Sequence, residues 1–218
     1  MSTVVALLGA ESTGKTTLAH EMAQALLARG VDAVMVPEAL REFCAREGRT
    51  PHRHEQRALA EEQTRRIQTA AHAHTVVLAD TTALMTAVYS EVVFADTSLY
   101  GAAQQAHAQI DMTLLMALDL DWVADGLQRD GPHVREPVDT LVRAALGRMG
   151  SPYAVVAGRG PARLQQALSV LEHQLEKEQR QRQAATSPRW RWYCEHCDDG
   201  ECEQHPLPDG AVRVRPGA

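Results

Sequence analysis

Asparagine is absent from this 218-residue chain, and lysine occurs twice, as Lys15 and Lys177, among 22 basic residues. Aromatic residues are scarce, at 4% against 44% hydrophobic, so a core must be assembled mainly from Ala, Val and Leu. Basic charge is short as well. The net charge of -6 and pI near 5.9 offer no basic face of the kind a nucleic-acid backbone requires, so nucleic acid is not the expected partner. No apolar run approaches the roughly 20 residues that cross a bilayer. No basic segment precedes the first apolar run, so no secretory leader is expected. The four cysteines are Cys44, Cys194, Cys197 and Cys202, three of them crowded near the C-terminal end. That crowding argues for metal ligands in a cytoplasmic protein rather than a disulfide framework. The length suits one α/β domain with an appendage, and no internal repeat is visible.

What is present begins at the apolar run Val4–Leu8, which reads as a buried parallel strand. It runs into GAESTGKTT, residues 9–17. Gly9, four residues, Gly14, Lys15 and Thr16 form the phosphate-loop spacing. Successive backbone N–H groups of such a loop turn inward around phosphate oxygens beside a helix N-terminus. Gly9, Glu11, Ser12, Thr13, Gly14, Lys15, Thr16 and Thr17 are the expected ATP-binding residues. Lys15 is expected at the β and γ phosphates and Thr16 at Mg²⁺. One of two lysines thus falls where the loop requires it. Guanine-specific domains read their base with an Asn-Lys-x-Asp segment, which a chain without Asn cannot contain.

Alternation continues along the chain. Helices are expected at 14–29, 37–49, 51–73, 138–149 and 161–183, with Gly30 stopping the first. Further strands are expected at 31–36, 75–80, 112–118 and 153–158, and 89–110 reads as mixed loop and helix. The pattern predicts an α/β fold, a parallel sheet with helices on both faces and ligands at the strand carboxyl ends. Gly9, Glu38, Asp80 and Asp119 fall at those ends. The domain is expected over 1–183, with a polar lid over about 119–137, a linker at 184–189 and a Cys/His-rich tail at 190–218.

Asp80 ends the strand TVVLAD, where a carboxylate holds Mg²⁺ directly or through water. It could equally cap the helix that follows. Thr81 comes next, rather than the Glu with which motor-type ATPases activate water, so transfer to an organic acceptor is favoured. Glu38 in VPEALREF could orient an acceptor hydroxyl and take its proton, or form a surface pair with Arg41. Whether Asp80 or Glu38 acts as base stays open. Arg129 and Arg135 in the lid could clamp the transferred group or belong to a solvated loop. Tyr89, Glu91, Phe94, Tyr100 and Trp122 are candidates for an acceptor pocket, or for core packing.

GAESTGKTTLA, VPEALREF, LADTT and DWVADGLQRDG together resemble the ribosylnicotinamide kinase domain of the NadR type, within a wider group of phosphate-loop ATPases of the AAA class. The likeness spans about residues 3–175, and WVADGL after the fourth strand is its most discriminating part. The resemblance implies transfer of the ATP γ-phosphate to the 5′-hydroxyl of nicotinamide riboside, a step in NAD metabolism. The kinase motif carries Arg directly after DGL. Here that position is Gln128 and Arg129 follows, a shift that turns a side chain about 100° on a helix. The alternative is an ATPase whose nucleotide state switches partner binding. The oligomeric state is not legible.

In the tail, Cys194, Cys197, Cys202 and His205 have the pairing of a zinc knuckle. Zn²⁺, an unstructured tail and a redox pair all remain open readings. His52, His54, His72 and His74 read as solvated rather than as ligands.

Overall fold

In a computed structural model, residues 2–123 and 131–186 are described. The chain divides into two compact units, Met1–Glu176 and Lys177–Ala218. In the first unit, five strands form one parallel sheet: β1 (Thr3–Leu8), β2 (Ala33–Val36), β3 (Val76–Asp80), β4 (Met112–Met116) and β5 (Ala154–Val156). Their order is β2-β3-β1-β4-β5. β1 is central, with Val5 opposite Leu78 on one side and Met112 on the other. The chain leaves β1 for one half of the sheet and later returns to build the other. Such a switch point opens a crevice at the strand carboxyl ends.

Seven helices complete the described fold: α1 (Lys15–Ala28), α2 (Ala39–Glu47), α3 (Gln56–Ala73), α4 (Ala83–Phe94), α5 (Tyr100–His107), α6 (Arg135–Met149) and α7 (Gly160–Thr186). Period-two alternation along β1 sends Val5 and Leu7 to one face and Ala6 and Leu8 to the other. The first face packs on Leu18, Met22 and Leu26 of α1 and on Ala167, Leu168 and Leu171 of α7. The second packs on Leu84 and Val88 of α4 and on Val138, Val142 and Leu146 of α6. Ile67 of α3 covers Val36 and Val77 at the β2 side. The core is therefore aliphatic, as the scarcity of aromatics requires.

Several boundaries differ from expectation for local reasons. Pro37 does not open α2; Glu38 is its extended N-cap residue, at φ −68° and ψ 117°. The expected helix over 51–73 divides into a 3₁₀ turn at Arg53–Glu55 and then α3. The turn is capped reciprocally, since His52 N–H donates to Glu55 Oε2 at 2.7 Å. α4 starts well before the segment read as mixed, because Ala83, Leu84, Met85, Ala87 and Val88 are all buried and leave no polar face to give a helical period. α6 begins three residues early, at Arg135. α7 continues through Thr186, into the expected linker 184–189, and the compact unit ends at Glu176 rather than 183. Lid residues 124–130, including Gln128 and Arg129, lie outside the described residues. So does the tail with Cys194, Cys197, Cys202 and His205. Among the described residues, no helix is long and apolar enough to cross a membrane.

Candidate active site

The loop after β1 has the backbone geometry that cradles an anion. Gly9 sits at φ 147° and Gly14 at φ 75°, where side chains are strained. A Cβ on Gly9 would lie 2.9 Å from Met116 Cβ of the neighbouring strand. Gly9 is therefore required by space as well as by angle, and Gly14 by angle. Thr13 Oγ1 donates to Ala10 O at 2.7 Å and pins the turn. Lys15 Nζ folds onto the Gly9 and Ala10 carbonyls, at 2.9 Å each. Its ammonium is thereby held beside the inward-facing loop.

Thr16 and Asp80 meet as the spacing predicts. Thr16 Oγ1 donates to Asp80 Oδ2 at 2.5 Å. Asp80 is buried, and its Oδ1 has no hydrogen-bond partner among the described residues. A hydroxyl beside a half-satisfied buried carboxylate is a hard-oxygen donor set, and it fits Mg²⁺. Helix capping at this point falls to Thr82, whose side chain accepts from Leu84 N–H, so Asp80 is not the cap. Thr81 between them holds φ 77°, a strained angle for a β-branched residue. Its N–H donates to Leu7 O at 3.2 Å, which fixes the end of β3 against β1.

A cavity of about 370 Å³ extends from this loop between α2 and α4. Lys15 and Thr16 line one end. Glu38 and Arg41 line the α2 side, and Met85, Thr86, Tyr89 and Phe94 the α4 side. Glu38 stands 3.9 Å from Arg41, so the i,i+3 pair forms while Glu38 still faces the cavity. Gln63, nine-tenths buried on α3, accepts from Ala39 N–H at 2.8 Å and donates to Thr81 O at 3.4 Å. It ties the start of α2 to the end of β3, and so places Glu38 relative to Asp80.

The remaining candidates divide. Tyr89 and Phe94 line the cavity, whereas Glu91, Tyr100 and Trp122 do not. Tyr100 Oη donates to Glu91 Oε2 at 2.6 Å, and burial followed by this carboxylate raises the phenol pKa. Trp122 Nε1 donates to Glu11 Oε1 at 2.8 Å, and Gly131 N–H reaches the same oxygen at 3.1 Å. Glu11, expected at the nucleotide, thus holds both described ends of the lid segment. Ser12 adds a second tie by accepting from Val123 N–H at 2.8 Å. Arg135 is buried, and its Nε and Nη2 have no hydrogen-bond partner among the described residues. It opens α6 on that helix's buried face, with Val138 and Val142, and does not line the cavity.

Asp119 is occupied as well. It accepts from Gly158 N–H and from Arg163 Nη1, the latter at 3.2 Å. Burial pushes its carboxyl pKa up, but Gly158 and Arg163 outweigh this and hold it below the usual value. Buried Arg163 also donates to Thr13 O at 2.7 Å, linking α7 to the phosphate loop. Sequence reasoning missed Gln63, Arg163 and the Glu11 contacts. For Gln63 a signal existed, a polar residue on the α3 stripe Gln56, Ala60, Gln63, Ile67.

With this geometry in place, comparison with known proteins gives three findings. Residues 4–163 match a family model described as an AAA domain. Among solved structures, NadR protein in complex with NR matches with TM-score 0.66 and 20% identity, over 79% of this chain and 51% of that one. Thymidylate kinase from Ehrlichia chaffeensis matches with TM-score 0.54 and 14% identity, over 78% of this chain and 98% of that one. Deoxyadenosine kinase from M. mycoides, with bound dCMP and dCDP, matches with TM-score 0.54 and 13% identity, over 78% and 99%. The chain spans about half the length of the NadR protein. None of the curated proteins matches the sequence. At these identities the likeness establishes a shared fold.

Proposed function

The chain belongs to this AAA-domain family, and from that membership we propose that it is an ATP-dependent small-molecule kinase acting on a nucleoside-like hydroxyl, with nicotinamide riboside as the acceptor. One observation carries the reading: a single cavity joins the phosphate loop to a pocket between α2 and α4 that has a carboxylate on one wall and aromatic rings on the other. A hydrolase needs room for water. This site offers room for an organic acceptor.

The roles follow from position. The loop N–H groups and Lys15 bind the triphosphate of ATP and offset its charge. Thr16 and Asp80 hold Mg²⁺, which supplies charge neutralisation across the phosphates. Glu38 orients the acceptor hydroxyl and accepts its proton as the new P–O bond forms and the bond to the ADP oxygen breaks. Gln63 positions Glu38, and the ties from Glu11 and Ser12 couple the phosphate loop to the lid segment. Arg129 is the cation proposed to close on the transferred group. Cys194, Cys197, Cys202 and His205 are proposed to bind one structural Zn²⁺.

The test is ATP turnover with and without nicotinamide riboside, with products followed by mass spectrometry. Formation of nicotinamide mononucleotide at a rate well above ATP hydrolysis is the expected result. Hydrolysis unaffected by any of a panel of nucleosides, with no phosphorylated product, overturns the kinase reading. A nucleotide-dependent partner switch then takes first place, testable as ATP-dependent partner binding lost on deletion of residues 190–218.

A further inference from the structure

The acceptor end of the cavity contains a polar side chain that no role above uses. Gln56, the first residue of α3, lines the cavity and is 7% exposed. Its amide has no hydrogen-bond partner among the described residues. Neither of its amide atoms is among the fully buried polar atoms without a partner, so the amide opens into the cavity. A ligand that fills the cavity displaces the solvent there and has to answer the amide in its place.

Its place along α3 says which part of a ligand it meets. Gln63 marks the carboxyl edge of the sheet, where it touches both Ala39 and Thr81. Gln56 lies seven residues before it. Seven residues are nearly two turns, so the two side chains share a face and stand about 10 Å apart along the axis. Gln56 therefore projects that far beyond the strand ends, away from Lys15 and Asp80. On the facing wall α4 runs outward through Met85, Tyr89 and Val93, all lining the same cavity. An acceptor with its hydroxyl at Glu38 and its far end at Gln56 has about the reach of a nucleoside.

A primary amide presents one acceptor and two donors side by side. Its best complement is a flat edge with an adjacent donor and acceptor, as in a carboxamide or a lactam. A carboxylate would satisfy the N–H groups and repel the carbonyl oxygen. We infer that Gln56 is a specificity-determining residue that reads a neutral donor–acceptor edge on the far ring of the acceptor. This rests on the kinase reading and adds to it the chemical class of the ring substituent.

The experiment compares four ribosides as acceptors for the full-length chain. These are nicotinamide riboside, the pyridine riboside without its carboxamide, nicotinic acid riboside and uridine. The wild-type protein is expected to favour a carboxamide or lactam substrate over the unsubstituted pyridine riboside by at least about tenfold in kcat/KM. In Gln56→Leu that preference collapses toward unity, mainly through KM. Melting without acceptor separates binding from folding: Leu removes no hydrogen bond to the protein, so the unliganded variant melts near the wild-type temperature. The stabilisation by the preferred riboside falls instead. A Gln56→Leu enzyme that keeps the wild-type preference overturns this inference and leaves the kinase reading intact. So does one that melts lower without ligand while the riboside stabilises it as before. If none of the four ribosides is phosphorylated while ATP binds, the kinase reading fails and this inference fails with it.

Discussion

Asp80 is buried with one carboxylate oxygen bonded to Thr16 and the other without a partner among the described residues. A half-satisfied interior carboxylate is unfavourable until a cation meets it. That cost is present in the unliganded protein and is relieved on metal binding. Asp80→Asn is therefore expected to unfold at the same or higher denaturant concentration without Mg²⁺, while phosphoryl transfer falls by at least about 100-fold. Chemical unfolding and a turnover assay check the two halves separately. Loss of stability with turnover intact would contradict the assignment. Glu11 is the opposite case, since its oxygen satisfies Trp122 Nε1–H and Gly131 N–H together. Glu11→Ala leaves both donors without their acceptor and is expected to cost about 1–3 kcal/mol of stability, read from the shift in urea midpoint.

At the scale of elements, α2 and α4 form the cavity walls, and Gln63 ties the start of α2 to the strand end that leads into α4. Gln63 is the acceptor for the first N–H of α2 and a donor to the end of β3. Gln63→Leu keeps the volume but orphans Ala39 N–H, and with it the local placement of Glu38. The expected result is a several-fold rise in acceptor KM with the KM for ATP little changed. Equal rises in both would mean that the phosphate loop has moved too. These same elements show what the sequence could and could not convey. β1, β3 and β4 were legible because strands buried on both faces are continuous apolar runs bounded by Gly or Asp. The meeting of Thr16 with Asp80 was legible because the loop after β1 and the carboxyl end of β3 bring them together. α4 was not, since a helix buried nearly all round has no polar face to mark its period. The start of α6 at Arg135 was not legible because a polar, Gly-containing segment masked it, and the pairing of Glu91 with Tyr100 away from the cavity leaves no trace in a local pattern. The roles of Trp122 and Arg163 depend on contacts to residues more than a hundred positions away, which no local pattern records.

For the molecule as a whole, two kinds of group set the response to acid. His107 is buried, its Nε2 lies 3.1 Å from Thr113 Oγ1, and its Nδ1 has no partner among the described residues. Burial lowers its pKa below the ordinary 6.5. As pH falls, the unfolded chain takes up this proton before the folded one, so stability declines below about pH 6.5. Glu55 is held at about 2 by Arg49, with help from His52 N–H, and Glu62 at about 2 by Arg65 and Arg66. Both stand well below the ordinary 4.5, so their contribution is complete above 4.5 and is lost between there and 2. Their pairs lie at the surface and are screened by salt, whereas the cost of charging a buried imidazole is not. A melting series from pH 8 to pH 3 at two salt concentrations is expected to show two separate declines. Raising salt flattens the lower one and leaves the upper one in place. His107→Gln, which keeps a polar partner for Thr113 and cannot take up the proton, removes the upper decline. If the upper decline persists in His107→Gln, it belongs to another histidine, and the buried ring does not govern the stability of the strand it supports.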